Sequence, residues 1–358
     1  MPAAKKTKLD LQVVEDLLEN NQPSRALALL SASRTKDAKV WFLMGEAQRQ
    51  LGSFETALKS YARALSGAEE AELRMDTLLA MASCYRTLGH SAAAYELADE
   101  TLEIAKELEY DEYAVRAMQE MGMALRAWGR LEEALELLDA VLAAYTQEKD
   151  YAGMSFIHWA KGGIFRLQGL FEEGIFQFKQ AIKWAKKSGD LISEAYGYCG
   201  LAGISRICGK VDDCVKNYKL AEKIFKKTED LFGKAYTNCG MANGLRQQGK
   251  YDEALRHYNV ADKLYSSIHD TVDLGFVKWG RADILRRKNK MQAALKDLEE
   301  AKALFDNSDE MRGQILTKLS LAQVLYALGR TEEAEALYET GVKQAKAEKL
   351  HTYLESYT

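Results

Sequence analysis

A turn residue returns every forty positions along this chain. Glycines stand at Gly89, Gly129, Gly169, Gly209, Gly249 and Gly329, Asn289 fills the one gap, and Gly52 precedes the series. A register held that long confines the chain to an array of like units, each burying its apolar face against the next. Helical patterns flank each turn: Val40-Trp41-Phe42-Leu43-Met44-Gly45-Glu46-Ala47 before Gly52, Phe54-Glu55-Thr56-Ala57-Leu58-Lys59-Ser60-Tyr61-Ala62-Arg63-Ala64 after it. Gly and Asn suit such a turn because both tolerate positive φ. Each unit therefore reads helix, turn, helix. Only two prolines, Pro2 and Pro23, occur, so nothing interrupts the later helices. Hydrophobic residues at 47% and charged residues at 28% supply a core and exclude a disordered chain.

The pattern inside the units resembles the tetratricopeptide repeat. Its first full unit reads Trp41, Met44-Gly45, Gly52, Ala57, Tyr61, Ala64; the sixth reads Met241-Ala242, Gly249, Ala254, Tyr258, Ala261; the last reads Leu321-Ala322, Gly329, Ala334, Tyr338, Gly341. Small residues stand where paired helices would cross, from Gly45, Ala82, Gly122 and Gly162 to Ala202, Ala242, Ala282 and Ala322. The usual repeat of this kind has 34 residues and often ends in proline. Here Asp150, Asp190, Asp230 and Asp270 recur at the junction instead, each placed to cap the helix that follows. The long repeat is similar to the Pins/LGN adaptors and, more loosely, to kinesin light chains and bacterial peptide-sensing regulators. The resemblance implies an all-α, right-handed superhelix, an α-solenoid of about eight helix-turn-helix repeats plus an N-terminal cap. Residues 1–10 read as a disordered basic start, 11–37 as a capping helical pair and 38–358 as the repeat array. His351–Thr358 reads as the start of one more helix.

The resemblance also implies that the first helices line a concave groove. With the turn residue numbered 15, positions 2, 5, 9 and 12 form one helical stripe facing it. Position 12 is Arg49, Arg86, Arg126, Arg166, Arg206, Arg246 and Arg286 in seven consecutive units, then Tyr326. Two readings are open for this column: ligand contact, or pairing with carboxylates of the array itself. Position 9 offers acid in only two units, Glu46 and Asp283, which argues against a general ladder of internal pairs through that position; Glu120 and Glu194 are further acids within the array. In the middle units position 2 is Phe156, Tyr196, Tyr236 and Phe276, position 5 is Trp159, Cys199, Cys239 and Trp279, and position 9 is Gly163, Gly203 and Asn243. The aromatic residues are core or ligand-facing. Gly200, Gly240 and Gly280 suit close helix packing, and Gly163 and Gly203 either packing or a notch in the groove. Arginines pair bidentately with carboxylates, and rings add apolar area at low entropic cost. The expected ligand is an acidic peptide or protein segment.

Charge distribution agrees. Residues 1–150 are net −9 and residues 151–300 net +7, so the basic middle favours an acidic partner. The acidic ends argue against nucleic acid, whose single strands would also suit Arg and aromatic groups. The five cysteines contain no C-x-x-C, although Cys199 and Cys239 occupy equivalent places in adjacent units. The five histidines form no metal motif, and no glycine-rich loop follows a strand. No catalytic residue, metal or cofactor is expected. There is no 18-residue apolar run and no secretory leader, so the expectation is a cytoplasmic protein that spans no membrane. Pro2-Ala3-Ala4-Lys5-Lys6-Thr7-Lys8-Leu9-Asp10 resembles a short nuclear-import signal but reads first as a solvated terminus. The function this predicts is a non-catalytic adaptor capturing an acidic segment through Arg126, Arg166, Arg206, Arg246 and Arg286, flanked by the named aromatic residues and Asn243. The competing reading is a sensor for a small ligand or signalling peptide.

Overall fold

A computed structural model describes residues 10–33, 37–308 and 310–347. The basic start at residues 1–9 and the expected helix at His351–Thr358 lie outside the described residues. The described residues form eighteen α-helices and no strand. They run in nine pairs: α1 (Leu11–Glu19) with α2 (Pro23–Ala32), α3 (Ala38–Gln50) with α4 (Phe54–Gly67), α5 (Ala71–Thr87) with α6 (Ser91–Glu107), and α7 (Asp111–Trp128) with α8 (Leu131–Glu148). Then come α9 (Tyr151–Leu167) with α10 (Phe171–Ser188), α11 (Leu191–Ile207) with α12 (Val211–Phe225), and α13 (Leu231–Gln247) with α14 (Tyr251–Ile268). The last are α15 (Thr271–Arg287) with α16 (Met291–Asp306), and α17 (Met311–Ala327) with α18 (Thr331–Ala347). The chain divides into two compact units, Met1–Gly153 with Lys226–Leu231, and Met154–Phe225 with Phe232–Thr358. Within each, helices pack on their neighbours in sequence, and first helices also touch the first helices of adjacent repeats, as α5 touches α7 and α15 touches α17. The fold is an all-α solenoid, as the forty-residue register predicts.

The turns work as the sequence implies. Gly129 has φ +85°, and Asn289 takes the same left-handed conformation at φ 58°. Around Gly129 the backbone closes twice: Gly129 N–H donates to Arg126 O at 3.2 Å and Arg130 N–H to Leu125 O at 2.9 Å, which satisfies two carbonyls that the helix end would orphan. At the opposite junction the aspartates cap. Asp150, Asp190 and Asp270 each accept a backbone N–H three residues ahead, at 3.0, 2.9 and 2.9 Å. Asp37 does the same for α3, at 2.9 Å from Val40 N.

Small residues position the helices. On α10 the side chain at position 24 wedges between glycines of its own first helix and the next. Phe178 is 2% exposed; a Cβ on Gly162 would lie 2.9 Å from its ring, and one on Gly200 2.2 Å. Tyr218 fills the same role at Gly240 and Tyr258 at Gly280, at 2.0 and 2.3 Å. Gly45 and Gly122 make the equivalent space for Tyr61 and Leu138. The packing reading of Gly200, Gly240 and Gly280 therefore holds. Each gains contact area that offsets the cost of glycine inside a helix, about 1 kcal/mol.

Candidate functional site

Position 12 falls in the last turn of each first helix, where every arginine of the column lies. A cation there is favoured by the helix dipole at about 0.3–1 kcal/mol, a local reason for the column beyond either ligand contact or pairing. From that turn the side chain reaches position 9 of its own helix or a residue of the next repeat's first helix.

In the first unit the reach ends on acid or polar atoms. Arg49 grips Glu46 with Nε at 3.1 Å and Nη2 at 2.6 Å, and the Tyr61 hydroxyl donates to the same carboxylate at 2.5 Å. Burial acts to raise the Glu46 pKa, but Arg49 outweighs it and holds the carboxyl below its ordinary value. Arg86 pairs with Glu120 of the next repeat at 3.2 Å and donates to Ser83 Oγ at 3.3 Å. Arg126 sits over Met123, its Nη1 3.9 Å from Sδ.

In the second unit the column splits. Arg246 is turned inward, its side chain 4% exposed, and pairs with Asp283 of the next repeat. It also lies over the Trp279 ring at 5.4 Å. Asp283 additionally takes Arg286 Nη2 at 2.8 Å and Arg287 Nε at 3.0 Å, so one carboxylate anchors three guanidinium groups. Burial pushes the Asp283 pKa up, yet the three cations, Arg246 foremost, bring it below the usual aspartate value. Asn243 faces the same network: Tyr258 donates to its Oδ1 at 2.6 Å, and its Nδ2 lies 3.7 Å from Cys239 Sγ. Tyr258 and Asn243 repeat the Tyr61–Glu46 geometry, fifteen residues apart in both cases.

Pairing thus occurs at both units that carry acid at position 9, and through Glu120 at a third. Glu194 instead takes Lys186, at 3.6 Å. Arg166 differs. Its Nη1 lies 2.8 Å from where a Cβ on Gly203 would be, and no carboxylate of the described residues forms an ion pair with it. The notch reading of Gly203 therefore has a definite occupant, the arginine of the preceding repeat. Beside Arg166 stands Tyr236; burial raises its hydroxyl pKa, and the guanidinium acts against that rise. Arg206 is half-buried one repeat further on.

The aromatic candidates form a partly continuous row. Phe156 and Trp159 are 5.8 Å apart, and Trp159 meets Tyr196 edge-on at 6.3 Å. Tyr196 continues to Phe225 at 5.1 Å. Tyr236 stacks on Phe232 at 6.1 Å. Phe276 leans on Phe305 at 4.8 Å and lies under Arg312. Trp279 is 7% exposed, joins the core of α15–α17, and donates Nε1–H to Ser320 Oγ at 2.9 Å. Phe156, Trp159, Tyr196 and Tyr236 keep part of their surface open, whereas Trp279 is a core residue. The hydroxyl of position 24 as a partner for position 9 is absent from the sequence expectation; the recurrence of Tyr at Tyr61 and Tyr258 is the signal that carries it.

Sequence signatures of the tetratricopeptide repeat match residues 14–72 and 316–340, the first and last repeats of the same helical array. Both ends of the chain thus carry tetratricopeptide repeats. Among solved structures, this helical array is similar to a Rap protein complexed with Competence and Sporulation Factor: TM-score 0.67 at 16% identity, over 82% of this chain and 83% of that one. It is also similar to BtubC (BKLC) from P. vanneervenii, with TM-score 0.46 and 17% identity over 71% of this chain and 91% of that one. No curated protein matches the sequence. No helix of the described residues is long and apolar enough to cross a membrane.

Proposed function

We propose that this repeat protein is a non-catalytic adaptor that captures an acidic peptide or protein segment on the first-helix face of α9, α11 and α13. The observation that carries the reading is Arg166: a guanidinium seated in the space of Gly203, beside Tyr236, with no ion-paired carboxylate of its own among the described residues. Where the array needs its arginines internally it supplies acid, as Asp283 does for Arg246 and Arg286. Arg166 has no such acid, so a carboxylate from outside completes it. Phe156, Trp159, Tyr196 and Tyr236 flank it with apolar area. Arg206 extends the basic column by one repeat within the second unit, and Arg126 holds the same position of α7 in the first. Arg246, Arg286, Asn243, Phe276 and Trp279 hold the frame from which that column projects.

The test is binding of Asp/Glu-rich peptides of about a dozen residues to wild type and to Arg166→Gln. A charge-assisted contact contributes about 1.5–3 kcal/mol, so the variant should bind at least about tenfold more weakly while keeping its melting temperature. Equal binding by the two proteins would remove Arg166 from the site. The sensor reading draws on the similar fold of the Rap protein complexed with its factor. It predicts that ligand changes the shape of the array, measured as a shift in radius of gyration on binding; capture without that shift favours the adaptor.

A further inference from the structure

The outer face of the second helices carries a charge pattern independent of the first-helix column. Position 24 points inward on α6, α8, α10, α12 and α14: Ala98, Leu138, Phe178, Tyr218 and Tyr258 are all 5% exposed or less. At about 100° per residue, positions 22, 25 and 29 then lie roughly 100–160° away, on the outward arc. On α10, α12 and α14 of the second unit most of those positions are basic. Position 25 is Lys179 on α10 and Lys219 on α12; position 29 is Lys183, Lys223 and Lys263 on α10, α12 and α14; position 22 is Lys216 on α12 and Arg256 on α14. All of these are exposed. No carboxylate of the described residues forms an ion pair with any of the six lysines. On α6 and α8 of the first unit most of the same positions are acidic. Position 25 is Asp99 on α6 and Asp139 on α8, position 22 is Glu96 and Glu136, and position 29 on α6 is Glu103. These too are exposed.

The two faces match in register as well as in sign. Both are built on the same repeat, so residues at positions 25 and 29 advance by about 6 Å along each helix on both. The lysine pairs Lys179–Lys183 and Lys219–Lys223 thus have the spacing of the carboxylate pair Asp99–Glu103 on α6, and Asp139 and Glu136 continue the acidic face on α8. We infer that the basic outer face of α10, α12 and α14 in one copy docks on the acidic outer face of α6 and α8 in a second copy. The contact is heterologous, joining two different patches of one surface, and its strength resides in opposed charge rather than in apolar burial.

Sedimentation velocity on the full chain tests this. At about 0.05 M salt the wild type should show a mass above that of one chain, falling to one chain near 0.5 M as screening shortens to a few ångströms. Lys179→Asp with Lys219→Asp and Lys223→Asp should stay single at low salt, and so should Asp99→Lys with Asp139→Lys. An equimolar mixture of these two variants should associate again, because each retains one face and the retained faces are complementary. Circular dichroism melts confirm that both variants fold. A wild type that stays single at low salt and high concentration overturns the inference. A mixture that stays single overturns it too. So does a lysine variant that stops associating while the aspartate variant associates like wild type, since the basic face then takes some other anionic partner. None of these outcomes bears on Arg166, whose peptide binding is read separately.

Discussion

The Arg166 guanidinium fills the space that a side chain on residue 203 would need. A Cβ there would lie 2.8 Å from Nη1, at the far end of a flexible side chain. This relationship separates binding from folding. Gly203→Ala should displace the guanidinium by a small movement while gaining the helix propensity of alanine, about 1 kcal/mol. The expected outcome is a melting temperature equal to or above wild type, together with loss of acidic-peptide binding. Calorimetry with a fluorescence binding titration reads both. A variant that binds as well as wild type would place the ligand away from the Gly203 notch.

The position-6 glycines should respond in the opposite way. At Gly240 an added Cβ would sit 2.0 Å from Tyr218 Cζ, and at Gly200 2.2 Å from a Phe178 ring carbon. Those rings are buried and held on two sides. Overpacking of this kind typically costs about 1–3 kcal/mol, more than alanine gains in propensity. Gly240→Ala should therefore melt several degrees lower than wild type, and Gly162→Leu, against Phe178, lower too. A thermal melt of Gly240→Ala matching wild type would mean that position 24 does not wedge between repeats.

The forty-residue register made the fold legible because turn residues and crossing residues are local demands: a left-handed turn needs Gly or Asn, and a ring wedge needs a small neighbour. The site was legible only as a column. Nothing local tells Arg246 from Arg166, since both occupy position 12. What separates them is the residue 37 positions later, Asp283 or Gly203, which stacking brings to the guanidinium. Arg86 reaches Glu120 across 34 positions instead, so no single offset predicts the partner. Trp279 shares position 5 with Trp159, and its burial follows from packing against α17, which periodicity does not encode.

Arg246 should be the arginine whose loss unfolds the protein. Its charge is buried, and Asp283 lies against it. Removing one member of a buried pair leaves the other unpaired and commonly costs about 3–5 kcal/mol. Arg246→Glu, alone or combined with Arg206→Glu, should melt far below wild type, whereas Arg166→Glu should not. Arg246→Met with Asp283→Leu should recover most of the loss, since no buried charge remains from that pair. Denaturant titrations of these four variants and the wild type measure this; an Arg246→Glu protein as stable as wild type would show that the pair contributes little.

The junction between α14 and α15 sets a pH dependence. Asp270 caps α15 through the Asp273 N–H at 2.9 Å and is 2% exposed. Burial, and then the neighbouring Asp273, pushes the Asp270 pKa well above its ordinary value. Burial also pushes Asp273 up, from 3.8 to about 6, with the Tyr265 hydroxyl acting against the rise and Glu310 adding to it. A folded-state pKa above the unfolded one means that the native state holds the proton more tightly. The stabilisation is therefore complete below about pH 4 and is lost as pH rises through about 6. Asp273→Asn keeps the backbone N–H that the cap uses but removes one of the two titrating groups. The melting temperature of wild type, compared with that of the variant, should decline between pH 4 and pH 7, so that the variant gains most at pH 7. If the difference between the two melting curves is flat from pH 4 to 7, Asp273 titrates alike in folded and unfolded chains.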